Sequence, residues 1–352
     1  MKSRHRSSGY FIIFVPMNLF GHTAGELAEL LRAGGQDASQ ASLLAYWIHR
    51  RGESRFERMY TLPKEVKRFL ASRHAVVWTA PRYVEEAADG TRKYLFDTPS
   101  GMVEAVYIPD GRRHTLCVST QAGCRWGCRF CRTGMEGFRG SLSAGSILNQ
   151  LQSLPEKEKI NHVVFMGMGE PLENTEEVLR VVSLLTDTRT YALAARNITL
   201  STIGLQPGLR RVLTETRINV TVSLHSPFPE ERARLMPVEK KYSFLAVLDL
   251  LAAHPPGKRR RYSVAYTLFE GVNDSQEHLA ALTALLRGRS LRVNLLPYHA
   301  VPGLPYRPAA AERLEAFRCG LLDAGISCTV RRSRGEEIAA ACGLLSGRGR
   351  RA

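Results

Sequence analysis

A chain of 352 residues has room for one large domain and a small one. Its 49 Lys and Arg against 33 Asp and Glu give a formal net charge of +16, which favours a polyanion partner, nucleic acid being the commonest. Seven cysteines, three in one tight cluster, exclude a secreted disulfide framework, and no apolar run approaches the ~20 residues that span a bilayer.

The opening MKSRHRSSGYFIIFVPMNLF imitates a signal peptide. Its apolar run, residues 10–15, is shorter than an h-region, Pro16 ends it, and no small-residue cleavage site follows. A cytoplasmic protein without membrane association is therefore expected. Residues 1–16 read as a disordered extension, with Met17 a candidate start. Apolar residues at helical spacing over 24–31, 42–48 and 64–70 predict a small helical accessory domain, 17–74. The strand-like runs AVVWT, RKYLFD and MVEAVYI follow, broken by the turns Asp89-Gly90 and Pro99-Ser100-Gly101; they predict a β-hairpin extension over 75–110.

From residue 111 to 335 strands and helices alternate. TLCVS, HVVFMGM, NITLST, INVTVSLH, YSVAYTLF and RVNLLPY are candidate strands, with SCTVRRS a seventh. Helical patterns fall over 144–154, 175–185, 207–213, 242–253, 275–286 and 311–324. Repeated β-α units imply parallel strands with helical crossovers, hence an α/β barrel or open sheet. The chemically interesting segments GMGEP, LST, SLH and NLLPY sit at strand C-terminal ends, the edge where such folds carry active sites. Residues 336–352 form a C-terminal segment with Cys342 and a basic tail, Arg348, Arg350 and Arg351.

Cys124, Cys128 and Cys131, in CRWGCRFC, lie just after the first barrel strand. Three thiolates are one short of a closed metal site. The pattern allows two centres: an iron–sulfur cluster with one position open to a small molecule, or a structural zinc completed by a distant ligand such as His114 or His162. With zinc, the chain is a non-catalytic RNA-binding or ribosome-assembly protein.

The segments CVSTQAGCRWGCRFCRTGMEGF, FMGMGEP, LSTIG, SLHSP, VNLLPYH and RGEEIAAACG, in this order, resemble the RlmN/Cfr family of radical-SAM RNA methyltransferases. The resemblance implies a partial (β/α)6 radical-SAM barrel with the helical accessory domain and short β extension. It implies a 4Fe–4S cluster on Cys124, Cys128 and Cys131, chelating S-adenosylmethionine (SAM), with two SAM molecules used per turnover. Gly169 and Glu170 match the family's SAM-ammonium contact, and Ser201, Ser223, Leu224, His225 and Asn294 its ribose and carboxylate contacts.

In the family, the cysteine matching Cys342 takes a methyl from a first SAM. A second SAM is cleaved at the cluster, and the deoxyadenosyl radical removes hydrogen from that S-methyl group. The carbon radical then adds to an adenine. Glu104 matches the proton acceptor, and Cys117 matches the thiol that resolves the covalent adduct, leaving a transient disulfide with Cys342. Cys319 and Cys328 match no role. GMGEP, NLLPYH and VPGLPY look like the RlmN branch, which methylates adenine C2 of 23S rRNA and sometimes tRNA. LSTIG, SLHSP, ARLMP and GVNDS look closer to the Cfr branch, which methylates C8 and confers antibiotic resistance; Val238-Glu239 stands where the family usually has Ile-Asn. C2 is the favoured reading and C8 the alternative. A reducing donor such as flavodoxin is expected.

Overall fold

The computed structural model describes residues 16–347, so the expected extension, apart from Pro16, and the basic tail lie outside the described residues. The chain divides between Val77 and Trp78 into two compact units.

The first unit is helical. Helix Ala24–Ala33 starts at a capping box: the Thr23 hydroxyl accepts from the Glu26 amide, and the Glu26 carboxylate accepts from the Thr23 amide. Helices Ala41–Ala45 and Lys64–Arg73 bury Leu44 and Leu70 with Leu27, Leu31 and Ile48. Met17–Asn18 pairs in parallel with His74–Ala75. Gly34 is required because a Cβ there would lie 2.0 Å from the Phe69 ring.

The second unit is built on a ten-stranded sheet. Its strands are β1 Tyr83–Glu86, β2 Arg92–Phe96, β3 Val103–Asp110, β4 Arg113–Cys117, β5 His162–Phe165, β6 Ile198–Thr202, β7 Asn219–Ser223, β8 Tyr262–Leu268, β9 Arg292–Pro297 and β10 Cys328–Val330. They pair in chain order, antiparallel from β1 to β4 and parallel from β4 to β10. Helices Ala144–Gln152, Thr175–Thr186, Gln206–Glu215, Phe244–Ala253, Gln276–Leu286 and Ala311–Asp323 fill the successive crossovers. This is the partial barrel, and the β extension continues its sheet. One expectation fails: AVVWT is a strand only at Ala75. The strand lies instead at β1, and the Thr79 backbone, past that run's apolar stretch, is bonded to the Asn149 side chain at 2.8 and 3.0 Å.

Alternation along the parallel strands sets up two faces. Leu116, Val163, Phe165, Leu200, Val220, Val222, Val264 and Leu295 are buried, as a face under the helix layer must be. The other face is largely polar and in register: Cys117, Val164, Thr199 and Asn219 form one row, Ser201, Thr221, Ser263 and Arg292 the next, and Ser223, Ala265, Asn294 and Thr329 the third. That inner face lines the lumen.

Candidate active site

The cysteine loop leaves Gln121–Gly123 and returns along Phe138–Ser141, so a small antiparallel clamp holds it. Gly123 has φ 76°, and a Cβ there would sit 1.7 Å from the Gly137 carbonyl oxygen, the atom that accepts from the Cys124 amide. Cys131 is the N-cap residue of the short helix Arg132–Met135, and the nearby Gly134 and Thr133 amides hold its thiol pKa down against burial. Burial pushes the Cys124 thiol up to about 12 and the Cys128 and Cys131 thiols above their ordinary value. Cys128 feels both other thiols, and Arg232 opposes the rise. Thiols this desolvated ionise on binding a metal, which then replaces their protons.

Two facts discriminate between the centres. Among the described residues no three His, Cys, Asp or Glu side chains converge as a single-ion site requires. The histidines offered as a fourth ligand sit at the opposite strand ends, His114 bonded to the Tyr107 hydroxyl at 2.6 Å and His162 to Asn161 Oδ1 at 2.7 Å. Three half-buried thiols on one clamped loop suit a cubane held at three corners and leave its fourth corner open.

The GMGE turn packs against the chain entering the clamp. A Cβ on Gly167 would lie 2.7 Å from Ser119 Oγ, and one on Gly169, at φ 93°, 2.5 Å from the Gln121 side chain. The Glu170 carboxylate faces away from the lumen into buried donors. Leu172 N–H and the Thr202 hydroxyl donate to one oxygen at 2.9 and 2.6 Å, and Ile203 N–H to the other at 2.9 Å. Burial pushes this carboxyl up to about 7 despite those donors. Its side chain is thus a brace between the ends of β5 and β6. The Gly167 and Gly169 carbonyls of this turn accept no hydrogen bond among the described residues.

At the end of β7, His225 adopts φ 59°, a left-handed conformation uncommon outside glycine. Its Nδ1 accepts from Thr267 N–H at 2.9 Å, and its carbonyl from Asn273 Nδ2 at 2.7 Å. Burial, with Arg232 second, drives its pKa down to about 3, so the ring is neutral with its proton on Nε2. Phe130 of the cysteine loop meets that ring edge-on at 4.9 Å. Ser201, Ser223 and Asn294 are half-buried on the inner face, and Leu224 is fully buried.

Arg232, fully buried, is a residue the sequence reading missed. Its guanidinium donates to the carbonyls of Ile203, Ser223 and Leu224 at 2.9, 2.9 and 3.2 Å and pairs with Glu239. It ties the ends of β6 and β7 beside Cys128. Glu239, visible as a departure from the family's Asn, is its counter-charge.

Cys117 closes β4, buried, and Cys342 lies in the C-terminal segment, exposed. Both are free thiols. Burial raises the Cys117 thiol, and Cys342 adds to that rise. The latter residue is open to solvent, but surrounding chain desolvates its sulfur and raises the Cys342 thiol, and Arg331 opposes that rise. Glu104 is buried: its Oε2 accepts from Ser346 N–H and Gly347 N–H at 2.7 and 3.1 Å, and Lys93 stands 3.6 Å from Oε1. The same segment is anchored to the cysteine loop, with Arg132 N–H donating to Gly343 O at 2.8 Å and Thr133 Oγ1 to Leu345 O at 2.6 Å. One short stretch therefore links Glu104, Cys342 and the Cys124–Cys131 loop. Cys319 and Cys328 lie apart, on and beside helix Ala311–Asp323.

A cysteine triad on a clamped loop at the C-terminal rim of a partial barrel defines a radical SAM enzyme. The Radical SAM superfamily profile matches residues 118–283. A crystal structure of a radical SAM methyltransferase from Sphaerobacter thermophilus superposes with TM-score 0.85 and 35% identity, over 95% of this chain and all of that one. A probable dual-specificity RNA methyltransferase RlmN of Bacteroides fragilis is 43% identical over 93% of this chain and 96% of its own length. The dual-specificity RNA methyltransferase RlmN of Syntrophobacter fumaroxidans is 40% identical over 94% and 98%. The chain belongs to the RlmN/Cfr family of radical SAM RNA methyltransferases, whose cofactors are a 4Fe–4S cluster and SAM. No helix among the described residues is long and apolar enough to cross a membrane.

Proposed function

We propose that the enzyme methylates an adenine carbon, C2, of 23S rRNA, and of tRNA as a second substrate, through an S-methyl group carried on Cys342. The observation that carries this reading is the convergence of Cys117, Cys342 and Glu104 next to the cysteine loop. The RlmN name of the relatives and the GMGEP and NLLPYH segments favour C2, and their description as dual-specificity favours more than one RNA.

Cys124, Cys128 and Cys131 would hold the cluster, and the backbone of Gly169 and Glu170, with Ser201, Ser223, Leu224, His225 and Asn294, the SAM. Bound there, the cluster and SAM supply a carbon-centred radical, two SAM molecules being used per turnover. The chain supplies the rest. The Cys342 thiol would lose its proton, helped by Arg331, and its sulfur would form a bond to the methyl carbon of a first SAM as that carbon's bond to the sulfonium sulfur breaks and the neutral thioether leaves. Glu104 takes the proton from the adenine carbon once its carboxylate is freed from the Ser346 and Gly347 amides. Cys117 then attacks Cys342 Sγ: an S–S bond forms, the S–C bond breaks, and the carbon takes a proton as methylated RNA leaves. A base inside folded RNA must be unstacked to reach this site. In the helical unit, Tyr60 is 76% exposed and packs on Trp47, a surface suited to stacking a base. The electron comes from a cytoplasmic reductant such as flavodoxin.

The test is mass spectrometry of 23S rRNA and tRNA from cells with and without the gene. The expected result is 2-methyladenosine that disappears with the gene. Finding 8-methyladenosine instead moves the enzyme to C8 chemistry, and no change in either RNA refutes the substrate.

A further inference from the structure

The end of the barrel opposite the cysteine loop has its own composition. Arg113 begins β4 and Arg292 begins β9; Arg217 and Arg261 stand two residues before Asn219 and Ser263. By strand alternation all four occupy inner-face positions: Arg113 lies two before Thr115, and Arg292 pairs with Ser263. Arg113 Nε donates to Thr115 Oγ1 at 3.2 Å, along that face. All four are exposed, and none makes an ion pair among the described residues. Several arginines elsewhere are paired, Arg180 with Glu177, Arg318 with Glu315, and Arg211 with Glu176 and Glu215. Asp110, the register partner of Arg113, is bonded to Arg334 at 3.0 Å and also acts on the Arg113 charge. Partial enclosure of its guanidinium lowers the Arg113 pKa although the residue as a whole is exposed; the charges of Arg331 and Arg261 add to that fall, and Asp110 opposes it.

The rim is also held rigid. Asn161 Nδ2 donates to Arg112 O at 2.8 Å, and its Oδ1 accepts from His114 N–H at 3.0 Å. Asn197 Nδ2 donates to Asn161 O at 3.0 Å. Asn219 Nδ2 donates to Arg196 O at 2.8 Å while its Oδ1 accepts from Arg261 N–H at 3.0 Å. Three asparagines thus lace neighbouring strand starts together. Clustered, unpaired, like charges destabilise a fold unless something negative covers them.

We propose that this N-terminal rim is a docking surface for the phosphate backbone of the substrate RNA, resting on the RNA methyltransferase reading above. Guanidinium groups match phosphate oxygens bidentately, and a fixed ring loses little freedom on binding. None of the exposed large apolar side chains, such as Met135, Leu245 and Leu322, belongs to it, which speaks against a lipid or an apolar protein surface.

The test compares two holoenzyme variants that lose the same charge. One carries Arg113→Gln, Arg217→Gln, Arg261→Gln and Arg292→Gln. The other carries Arg210→Gln, Arg234→Gln, Lys240→Gln and Arg313→Gln, exposed cations outside the rim. Affinity for unmodified 23S rRNA and tRNA transcripts is measured from about 50 to 300 mM salt. The rim variant is expected to lose about 3 units of slope in log K against log salt and tenfold or more in affinity, the control well under half of that. Iron content and melting temperature check the fold, and the single changes Arg261→Gln and Arg292→Gln, each expected to remove about one slope unit, serve if the quadruple variant does not fold. Equal losses in both variants, or an unchanged slope in the rim variant, overturn the docking surface and leave the methyltransferase reading standing. A wild-type enzyme that binds neither transcript overturns both.

Discussion

The two rims of the barrel solve opposite problems with the same strand ends. At the C-terminal rim polar groups are buried and spent: Glu170 accepts three hydrogen bonds, His225 is held neutral, and Arg232 is enclosed by three carbonyls and Glu239. At the N-terminal rim the charge stands in water, and the bonding falls to asparagines that fix the backbone. A rim that shelters a labile centre needs order without free charge; a rim that meets a polyanion needs free charge on an ordered frame. Loss of a charged group should therefore cost chemistry or stability at the first rim, and affinity at the second.

The largest effect tests the first half of that contrast. Replacing any of Cys124, Cys128 or Cys131 by Ala leaves two thiols, too few for the cubane. Anaerobic reconstitution should give protein without about four irons per chain and with no cleavage of SAM. A triad variant that still makes deoxyadenosine at the wild-type rate would remove the cluster from this rim. Next come the two lone thiols, whose losses should differ in kind. Cys342→Ala should form no protein-bound methyl group and no RNA adduct. Cys117→Ala should be trapped as a ribonuclease-sensitive band of raised mass on a denaturing gel. The reverse pattern would exchange their roles.

Much of this was legible in the chain, and the gaps have physical reasons. Barrel strands announce themselves because one face is apolar and the other small and polar, as in NITLST and NVTVS. The triad and GMGEP read clearly because few other needs place cysteines or glycines at such spacing. Arg232 was invisible because PEERARL looks like a solvated helix face, and only the fold reveals that its guanidinium is enclosed. Lys93, in RKYLF, reads as surface charge, yet it is buried between Glu85 and Glu104. The strand YVEE hides because it is an exposed edge, with nothing apolar to alternate. The asparagine lacing is out of reach of any single-strand pattern, since each bond runs to the neighbouring strand.

Stability changes rank next. Arg232→Met strips a buried partner from Glu239 and removes a donor from three carbonyls, of which Leu224 O keeps the Ser226 amide, so it should cost about 3–5 kcal/mol in chemical denaturation. Adding Glu239→Gln should recover part of that loss, because the stranded charge goes; no recovery would mean that the guanidinium acts through the carbonyls alone. The histidine contributes through pH. The unfolded chain protonates His225 near 6.5, the folded chain only near 3. Its stabilisation is therefore complete above pH 6.5 and is lost as pH falls toward 3, by about 1.4 kcal/mol per pH unit. His225→Asn tolerates the left-handed backbone and keeps an acceptor for Thr267, so it should flatten that slope between about pH 5 and pH 7. An unaltered slope would mean that other groups carry the acid sensitivity of this rim.

The smallest effect asks whether the second rim is ordered for a reason. Asn219→Ala removes two side-chain hydrogen bonds, to Arg196 O and from Arg261 N–H, both at the partly exposed strand start. Water replaces much of what is lost, so the stability cost should be about 1 kcal/mol. No charge is removed, so the dependence of RNA affinity on salt should keep the wild-type slope. What should change is the level: a loosened ring must be ordered again on binding, at about 0.5–1.5 kcal/mol for each side chain immobilised, which lowers affinity a few-fold at every salt concentration. A parallel downward shift of the binding line is the signature of preorganisation, and a change of slope is the signature of lost contacts. If Asn219→Ala lowers the melting temperature but leaves the line where it was, the asparagines serve the barrel alone and the arginines need no fixed frame.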